Sequence, residues 1–339
     1  MKNNDKRSQY SVSTKKRIGS REIFGDYFRC EGLRKMALIK AWVNGGFLAW
    51  DEVTVPLLSH SFGRGSAVFD VVDIVPSEKG PAYFGLREHI DRFFNSARLV
   101  SMEIPFTKEE LTRALIETAR GNNVTEGLAK LYAYYPLVEF SLVPKNRKVD
   151  IALFCIDFAF LNMTQDDFSG PVSMGISTWK KLHPETVPVE AKVVGNYVNP
   201  YLAKLEVIKR GCEDVIMVDT FGRIAEGALC NIFFARNREV KTPTLGNILS
   251  GITRKAVIEV IRDIGIPVEE TDIHLEDLAV FEEAFCTSSV GKIQPVKSIE
   301  DKVLGGSCPG PITKTIIEKM RGVYGGKIEK FEKWLTYIM

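Results

Sequence analysis

Residues 189–211 read VEAKVVGNYVNPYLAKLEVIKRG. From Asn199 onward Tyr201, Leu202, Leu205, Val207 and Ile208 fall at helical spacing, which predicts a helix over this stretch. Just ahead of it stands Lys192 in a short apolar setting, followed by Gly195-Asn196-Tyr197. A lysine here has two readings. It is either a solvated charge before a helix or an amine that does chemistry. An amine becomes a good nucleophile or base when desolvation or a neighbouring cation lowers its pKa, so Lys192 is a candidate Schiff-base lysine.

The chain around it allows an enzyme of ordinary kind. Its 339 residues can bury a large core and build two domains. Apolar residues make up 45% and charged residues 26%, the balance of a soluble globular protein. No apolar run reaches membrane-span length, and a net charge of +2 argues against a nucleic-acid footprint. The charge is uneven, since residues 1–36 carry ten Lys/Arg against four acids. That head lacks the apolar segment of a secretory signal and reads as an added basic arm, with an anion-binding tail as the alternative. The six cysteines and four histidines are scattered, with no C-x-x-C pair. This spacing suggests no disulfide framework, no metal site and no histidine-dependent triad, and it fits a reducing cytoplasm.

From Ala37 the pattern becomes regular. ALIKAWVNGGFLAW (37–50) is a hairpin around Asn44-Gly45-Gly46. Strands follow at 65–75 and 80–86, then a helix over 86–100 with Leu86, Ile90, Phe93 and Ala97 on one face. A second helix opens at Thr107 with Glu110 three residues later, a capping box. Strands at 129–140 and 149–160 complete an α+β unit over 37–160. LNMTQDDFSG (161–170) is polar and turn-rich and reads as a linker. The second unit, 171–339, contains strand 171–178 and the helix after Lys192. It continues with two strands around a turn at Asp219-Thr220-Phe221-Gly222, an amphipathic helix from Gly251, a strand–turn–strand over 282–301 and a helix from Gly310.

A Schiff-base lysine in a soluble enzyme most often serves a pyridoxal cofactor. Such a cofactor needs an acid facing its pyridine nitrogen, a cradle for its phosphate and a donor to its phenolic oxygen. Glu226, in IAEGALCNIFF, is the candidate acid; alone it reads equally as a solvated turn glutamate. Gly251, Ile252 and Thr253 open a helix whose free N–H groups suit an anion, or they mark an ordinary N-cap by Ser250 or Thr253. Arg92 is a candidate phosphate partner and Tyr197 a candidate donor.

Taken in order, these pieces resemble the class IV pyridoxal-phosphate aminotransferases. The family signature is met by Glu226, Ala228, Asn231-Ile232-Phe233, Val240-Lys241-Thr242 and Leu249-Ser250-Gly251-Ile252-Thr253-Arg254. The resemblance spans roughly residues 37–338. Segments such as VNGGFLAWDEVTVPLLSHSFGRGSAVFD (43–70), LREHIDRFFNSARL (86–99), EAKVVGNY (190–197) and GPITK (310–314) look like the branched-chain type. The resemblance implies an α/β fold of two domains, fold-type IV, with pyridoxal 5'-phosphate between them, in a homodimer whose interface completes each site. It puts Lys192 on the Schiff-base lysine, Tyr197 on the phenolic oxygen, Glu226 on the pyridine nitrogen, and Arg92, Ile252 and Thr253 on the phosphate. Ser289 falls among the cofactor contacts, and Ser289 with Val290 on the turn that meets the substrate carboxylate.

The substrate side departs from the branched-chain pattern. Arg64 stands where that group usually has tyrosine, Asp73 where many have arginine, and Leu128 and Lys130 where it has tyrosine and arginine, while Phe69 is retained. The expectation is therefore a transaminase moving an amino group from a branched-chain or related amino acid to 2-oxoglutarate. Arg64, Phe69, Asp73 and Lys130 would line its pocket, with Asp73 either standing free or paired to Arg64 or Lys130. A lyase of the aminodeoxychorismate lyase type and a non-catalytic relative are the alternatives.

Overall fold

The computed structural model describes residues 39–338; the basic arm expected over 1–36 lies outside them. Two sheets carry the fold. The first contains β1 (Lys40–Val43), β2 (Gly46–Ala49), β3 (Val68–Val75), β4 (Ala82–Phe84), β5 (Gly127–Tyr134) and β6 (Asp150–Asp157). Asn44 and Gly45 both take positive φ and turn the β1–β2 hairpin, as the Asn-Gly pair predicts. α1 (His60–Arg64) precedes β3, and α2 (Leu86–Leu99) and α3 (Lys108–Gly121) cover one face of the sheet. The capping box of α3 forms as expected: Glu110 N–H donates to Thr107 Oγ1, and Thr107 N–H to Glu110 Oε2. β5 stops at Tyr134, short of the expected 140, because Pro136 cannot donate to a ladder.

The short α4 (Asp166–Ser169) leads to the second sheet, built from β7 (Val172–Ile176), β8 (Asp214–Ile216), β9 (Asn231–Arg236), β10 (Glu239–Pro243), β11 (Val268–Thr271), β12 (Glu283–Ser288), β13 (Lys292–Ile299) and β14 (Lys302–Val303). α5 (Val198–Lys209), α6 (Ile252–Asp263) and α7 (Pro311–Tyr324) accompany it. The chain does not divide cleanly at 161–170. β15 (Leu335–Tyr337) pairs with β4 at the edge of the first sheet, after Phe331 and Trp334 have been buried against Phe84 and α6. The expectation that 171–339 forms one unit therefore needs correcting at its last strand. The physical reason is that β4 has an open edge and the segment 331–335 has a large apolar surface to bury.

Two further corrections concern the region of Lys192. The second strand of the 212–235 hairpin begins at Asn231, not near Glu226. Gly227 N–H closes a tight turn onto Cys230 C=O, and only a short ladder (Ala225 N–H to Met217 C=O, Met217 N–H to Glu226 C=O) precedes it. On α5, Ala203 and Val207 face inward, while Tyr201 and Ile208 of the expected apolar face are exposed.

Strand alternation in the first sheet creates the surface on which the site is built. Val68, Val72 and Ile74 of β3 and Ala129, Leu131 and Ala133 of β5 point into the core beneath α2 and α3. The alternate residues Phe69, Val71 and Asp73, paired with Tyr132, Lys130 and Leu128, take the other face. The chain around Lys192 is stitched to the start of β3. Phe69 N–H donates to Lys192 C=O at 3.0 Å, Val194 N–H to Ala67 C=O at 2.8 Å, and Gly195 N–H to Gly65 C=O at 2.8 Å. This approach requires glycine: Gly65 has φ +65, and a Cβ on it would stand 2.8 Å from Gly195 Cα.

Candidate active site

Lys192 projects over this wall. Its Nζ donates to Tyr197 Oη at 2.6 Å and lies 4.5 Å from the Phe69 ring centroid. Its N–H is fixed by Ser96 Oγ of α2, at 3.0 Å. Tyr197 ends a 3-10 turn, Val194–Tyr197, that feeds α5, so lysine and tyrosine are set by one short turn and face each other. Burial, helped by the Arg92 cation and by Lys130, pulls the Lys192 amine down to about 7 against the pull of Asp70 and Glu226. Burial, reinforced by Glu226, pushes the Tyr197 phenol well up, so it stays protonated at neutral pH.

Arg92, on α2, is gripped by a carboxylate absent from the sequence expectation. Its Nε donates to Asp70 Oδ2 at 2.8 Å and its second terminal nitrogen to Asp70 Oδ1 at 2.7 Å. His89 Nδ1 lies 2.7 Å from the same Oδ1. Burial alone would raise the Asp70 pKa, but Arg92 and His89 outweigh it and hold the carboxyl well below the usual carboxylate range. The remaining face of Arg92 reaches Ser250 C=O at 3.0 Å, which brings the guanidinium to the start of α6. There Gly251 is the N-cap and no side chain caps the helix, so neither Ser250 nor Thr253 plays that part. A Cβ on Gly251 would collide with Asn231 Oδ1. Ile252 and Thr253, both buried, supply the first N–H groups of α6.

Glu226 is 7% exposed and fully engaged. Its Oε1 accepts from Lys181 Nζ at 2.5 Å, and its Oε2 from Asn231 Nδ2 at 3.3 Å and Leu249 N–H at 3.2 Å. The glutamate lies close enough for its charge to act on both Lys192 and Tyr197. Ser289 and Val290 form the β12–β13 turn, tied down by Gln165 Nε2 on Val290 C=O at 2.7 Å.

The structure therefore gathers Lys192, Tyr197, Phe69, Arg92, Glu226 and Lys130; of the four expected pocket residues it leaves Arg64 and Asp73 outside this group. Lys130 Nζ sits 5.5 Å from the Phe69 ring centroid and 5.0 Å from that of Tyr132, with no ion pair among the described residues. Asp73 pairs with neither Arg64 nor Lys130; its Oδ2 lies 3.7 Å from Lys292 Nζ. Four residues along β3 from Phe69 amounts to roughly 13 Å, which carries Asp73 to the end of the wall near the β12–β13 turn. Burial lifts the Asp73 carboxyl to about 7 despite Lys292. Arg64 is exposed at the end of α1, with its guanidinium on the carbonyls of Gly63 and Phe140. Asp70, Lys181, Gln165 and Lys292 were invisible as partners because each pairs across a long sequence separation. Asn231 stood in the signature without a role.

These features define an aminotransferase, and the chain belongs to the class IV aminotransferase family, whose model matches residues 67–299. Among its relatives is the probable branched-chain-amino-acid aminotransferase of Aquifex aeolicus, 30% identical over 312 residues, covering 90% of this chain and 98% of that protein. The branched-chain aminotransferase of Thermoproteus uzoniensis, solved with norvaline, superposes with a TM-score of 0.83 at 33% identity, over 89% of this chain and 99% of that one. The branched-chain amino acid aminotransferase of Thermobaculum terrenum, solved in its PLP-form, gives a TM-score of 0.81 at 25% identity, over 88% of this chain and 98% of that one.

The Asp70–Arg92 pair yields a pH prediction. Because the folded carboxyl titrates below its unfolded value near 4, its stabilisation is fully present above that value and is lost progressively as pH falls from there through the lower folded value. Asp70→Asn should cost about 3 kcal/mol at pH 7, the cost of breaking a buried pair. It should also flatten the loss of stability as pH falls below about 4. Urea unfolding at several pH values measures both. An unchanged acid slope would contradict the assignment.

Proposed function

We propose that this chain is a pyridoxal-5'-phosphate-dependent transaminase, moving the amino group of a branched-chain or related amino acid to 2-oxoglutarate. The observation that carries the reading is the Lys192 amine, held at about 7 beside a protonated tyrosine. The surrounding residues fit the cofactor. An arginine brought to the uncapped start of α6, the first N–H groups of that helix at Ile252 and Thr253, and a buried acid whose charge acts on the amine are the three fittings it needs. Arg92 and the N–H groups of Ile252 and Thr253 would hold its phosphate, Tyr197 its phenolic oxygen, Glu226 its ring nitrogen and Lys192 its carbonyl carbon. When bound, the cofactor supplies an electron sink for the negative charge left on the substrate Cα.

The chain's own groups do the rest. An amine near 7 is neutral in about half the molecules at neutral pH, so Lys192 can take the proton from the substrate Cα and return it. Glu226 presents its negative charge to the ring from a preorganised position, which costs no reorganisation during reaction. Ser289 and Val290 would meet the substrate carboxylate at the turn fixed by Gln165. Phe69 closes the wall beside the amine, and Asp73 is assigned to the far end of that wall.

We further propose a homodimer acting in the cytoplasm. Leu57, Leu58, Phe62, Phe140 and Leu142 are all exposed on two segments joined by the Ser59–Val138 bridge and the bond from Glu139 N–H to Leu58 C=O. An apolar face of this kind suits a second copy of the chain, and Arg64 lies on it, where a residue completing the neighbouring copy's site would stand. Among the described residues no helix is long and apolar enough to cross a membrane.

The test is direct. Supplied with pyridoxal 5'-phosphate, L-leucine and 2-oxoglutarate, the protein should form 4-methyl-2-oxopentanoate and glutamate, and nothing without the oxo acid. Turnover of an amino substrate with release of pyruvate and no acceptor would mark a lyase instead. Lys130, without a counter-ion on the substrate wall, is assigned to the distal carboxylate of 2-oxoglutarate. Lys130→Met should raise KM for 2-oxoglutarate by roughly 10- to 100-fold, the worth of one charge-assisted hydrogen bond, and leave that for 4-methyl-2-oxopentanoate within about twofold. Equal rises in both would contradict the assignment.

A further inference from the structure

Lys181 plays no part in the scheme above, yet its pair with Glu226 is built with care. The Lys181 side chain is 13% exposed and its partner 9%. The backbone carrying it is pinned from two sides: Lys181 N–H donates to Val218 C=O at 2.9 Å, and Asn199, two residues beyond Tyr197, holds both Leu182 N–H and Lys180 C=O. Glu226 has two donors on Oε2, from Asn231 and Leu249, and Lys181 donates to the other oxygen, Oε1. Taking two charges out of water is seldom repaid in stability. What such a cation does is offset the negative potential that Glu226 projects into the site.

Resting on the reading of Glu226 as the acid facing the cofactor's ring nitrogen, we propose that Lys181 is a positioning residue that sets the charge of this site. It fixes Glu226 Oε1 in place and lowers the pH at which the bound cofactor gives up its proton. The sign follows from electrostatics: a nearby cation disfavours a protonated, positively charged neighbour, and removing the cation raises that neighbour's pKa. The charges that act on Lys192 come from Arg92, Asp70, Glu226 and Lys130, none of which is substituted in a Lys181 variant.

The experiment is a pH titration of the visible absorbance of the protein loaded with pyridoxal 5'-phosphate, for wild type, Lys181→Met and Lys181→Arg. The midpoint should rise by about one pH unit or more in the methionine variant and stay within a few tenths of wild type in the arginine variant. If the methionine variant does not fold, Lys181→Gln is read in its place with the same expectation. An unmoved midpoint in a neutral variant that still binds the cofactor overturns the assignment of Lys181 alone, leaving it a structural staple. A wild-type protein that develops no visible band with pyridoxal 5'-phosphate overturns the cofactor reading and this one with it.

Discussion

The structure depends on a short run of backbone hydrogen bonds between the start of β3 and the residues after Ala191. Phe69, Val194 and Gly195 donate to Lys192, Ala67 and Gly65 in turn. This run joins the segment between β7 and β8 of the second sheet to an inner strand of the first. It lets a lysine from one half stand over an aromatic wall from the other. The two glycines are what make it close enough: at Gly65 both the positive φ and the distance to Gly195 Cα exclude a side chain. With the backbone so fixed, Ser96 from α2 completes the seat of Lys192, and the following turn brings Tyr197 back to its amine.

Charge then arranges itself around that amine in a way local sequence does not reveal. Arg92 is a cation near Lys192, but it is tied in two places to Asp70. Glu226 is an anion near Lys192, but it is tied to Lys181. Each long-range field is therefore partly cancelled by a second residue from another element, and Lys130 is left as the cation on the wall without such a partner among the described residues. Burial is the largest influence on the Lys192 amine, and these charges trim it. A nucleophile useful near neutral pH follows from that balance rather than from any single neighbour.

Much of this was legible in the sequence where the signal is local. The Asn44-Gly45 turn, the Thr107–Glu110 capping box and the amphipathic α2, α3 and α6 follow from spacing and turn chemistry. The composite run from Glu226 to Arg254 was legible in another way, as a resemblance to the class IV signature, because its members lie close together in the chain. What was not legible is pairing across long separations. Nothing in the spacing of Asp70 and Arg92, Lys181 and Glu226, or Asp73 and Lys292 marks them as partners, since ion pairs have no period. Strand β15 is a similar case: its residues read as the tail of the second unit, and only the open edge of β4 explains why they join the first.

The central claim is that one amine, that of Lys192, carries the cofactor. Loading the protein with pyridoxal 5'-phosphate, reducing it with borohydride and mapping the modified peptide by mass spectrometry tests this most directly. The account predicts a single phosphopyridoxyl adduct, on Lys192. An adduct on Lys130 or Lys181 in place of Lys192, or none above the level of scattered surface lysines, would contradict it.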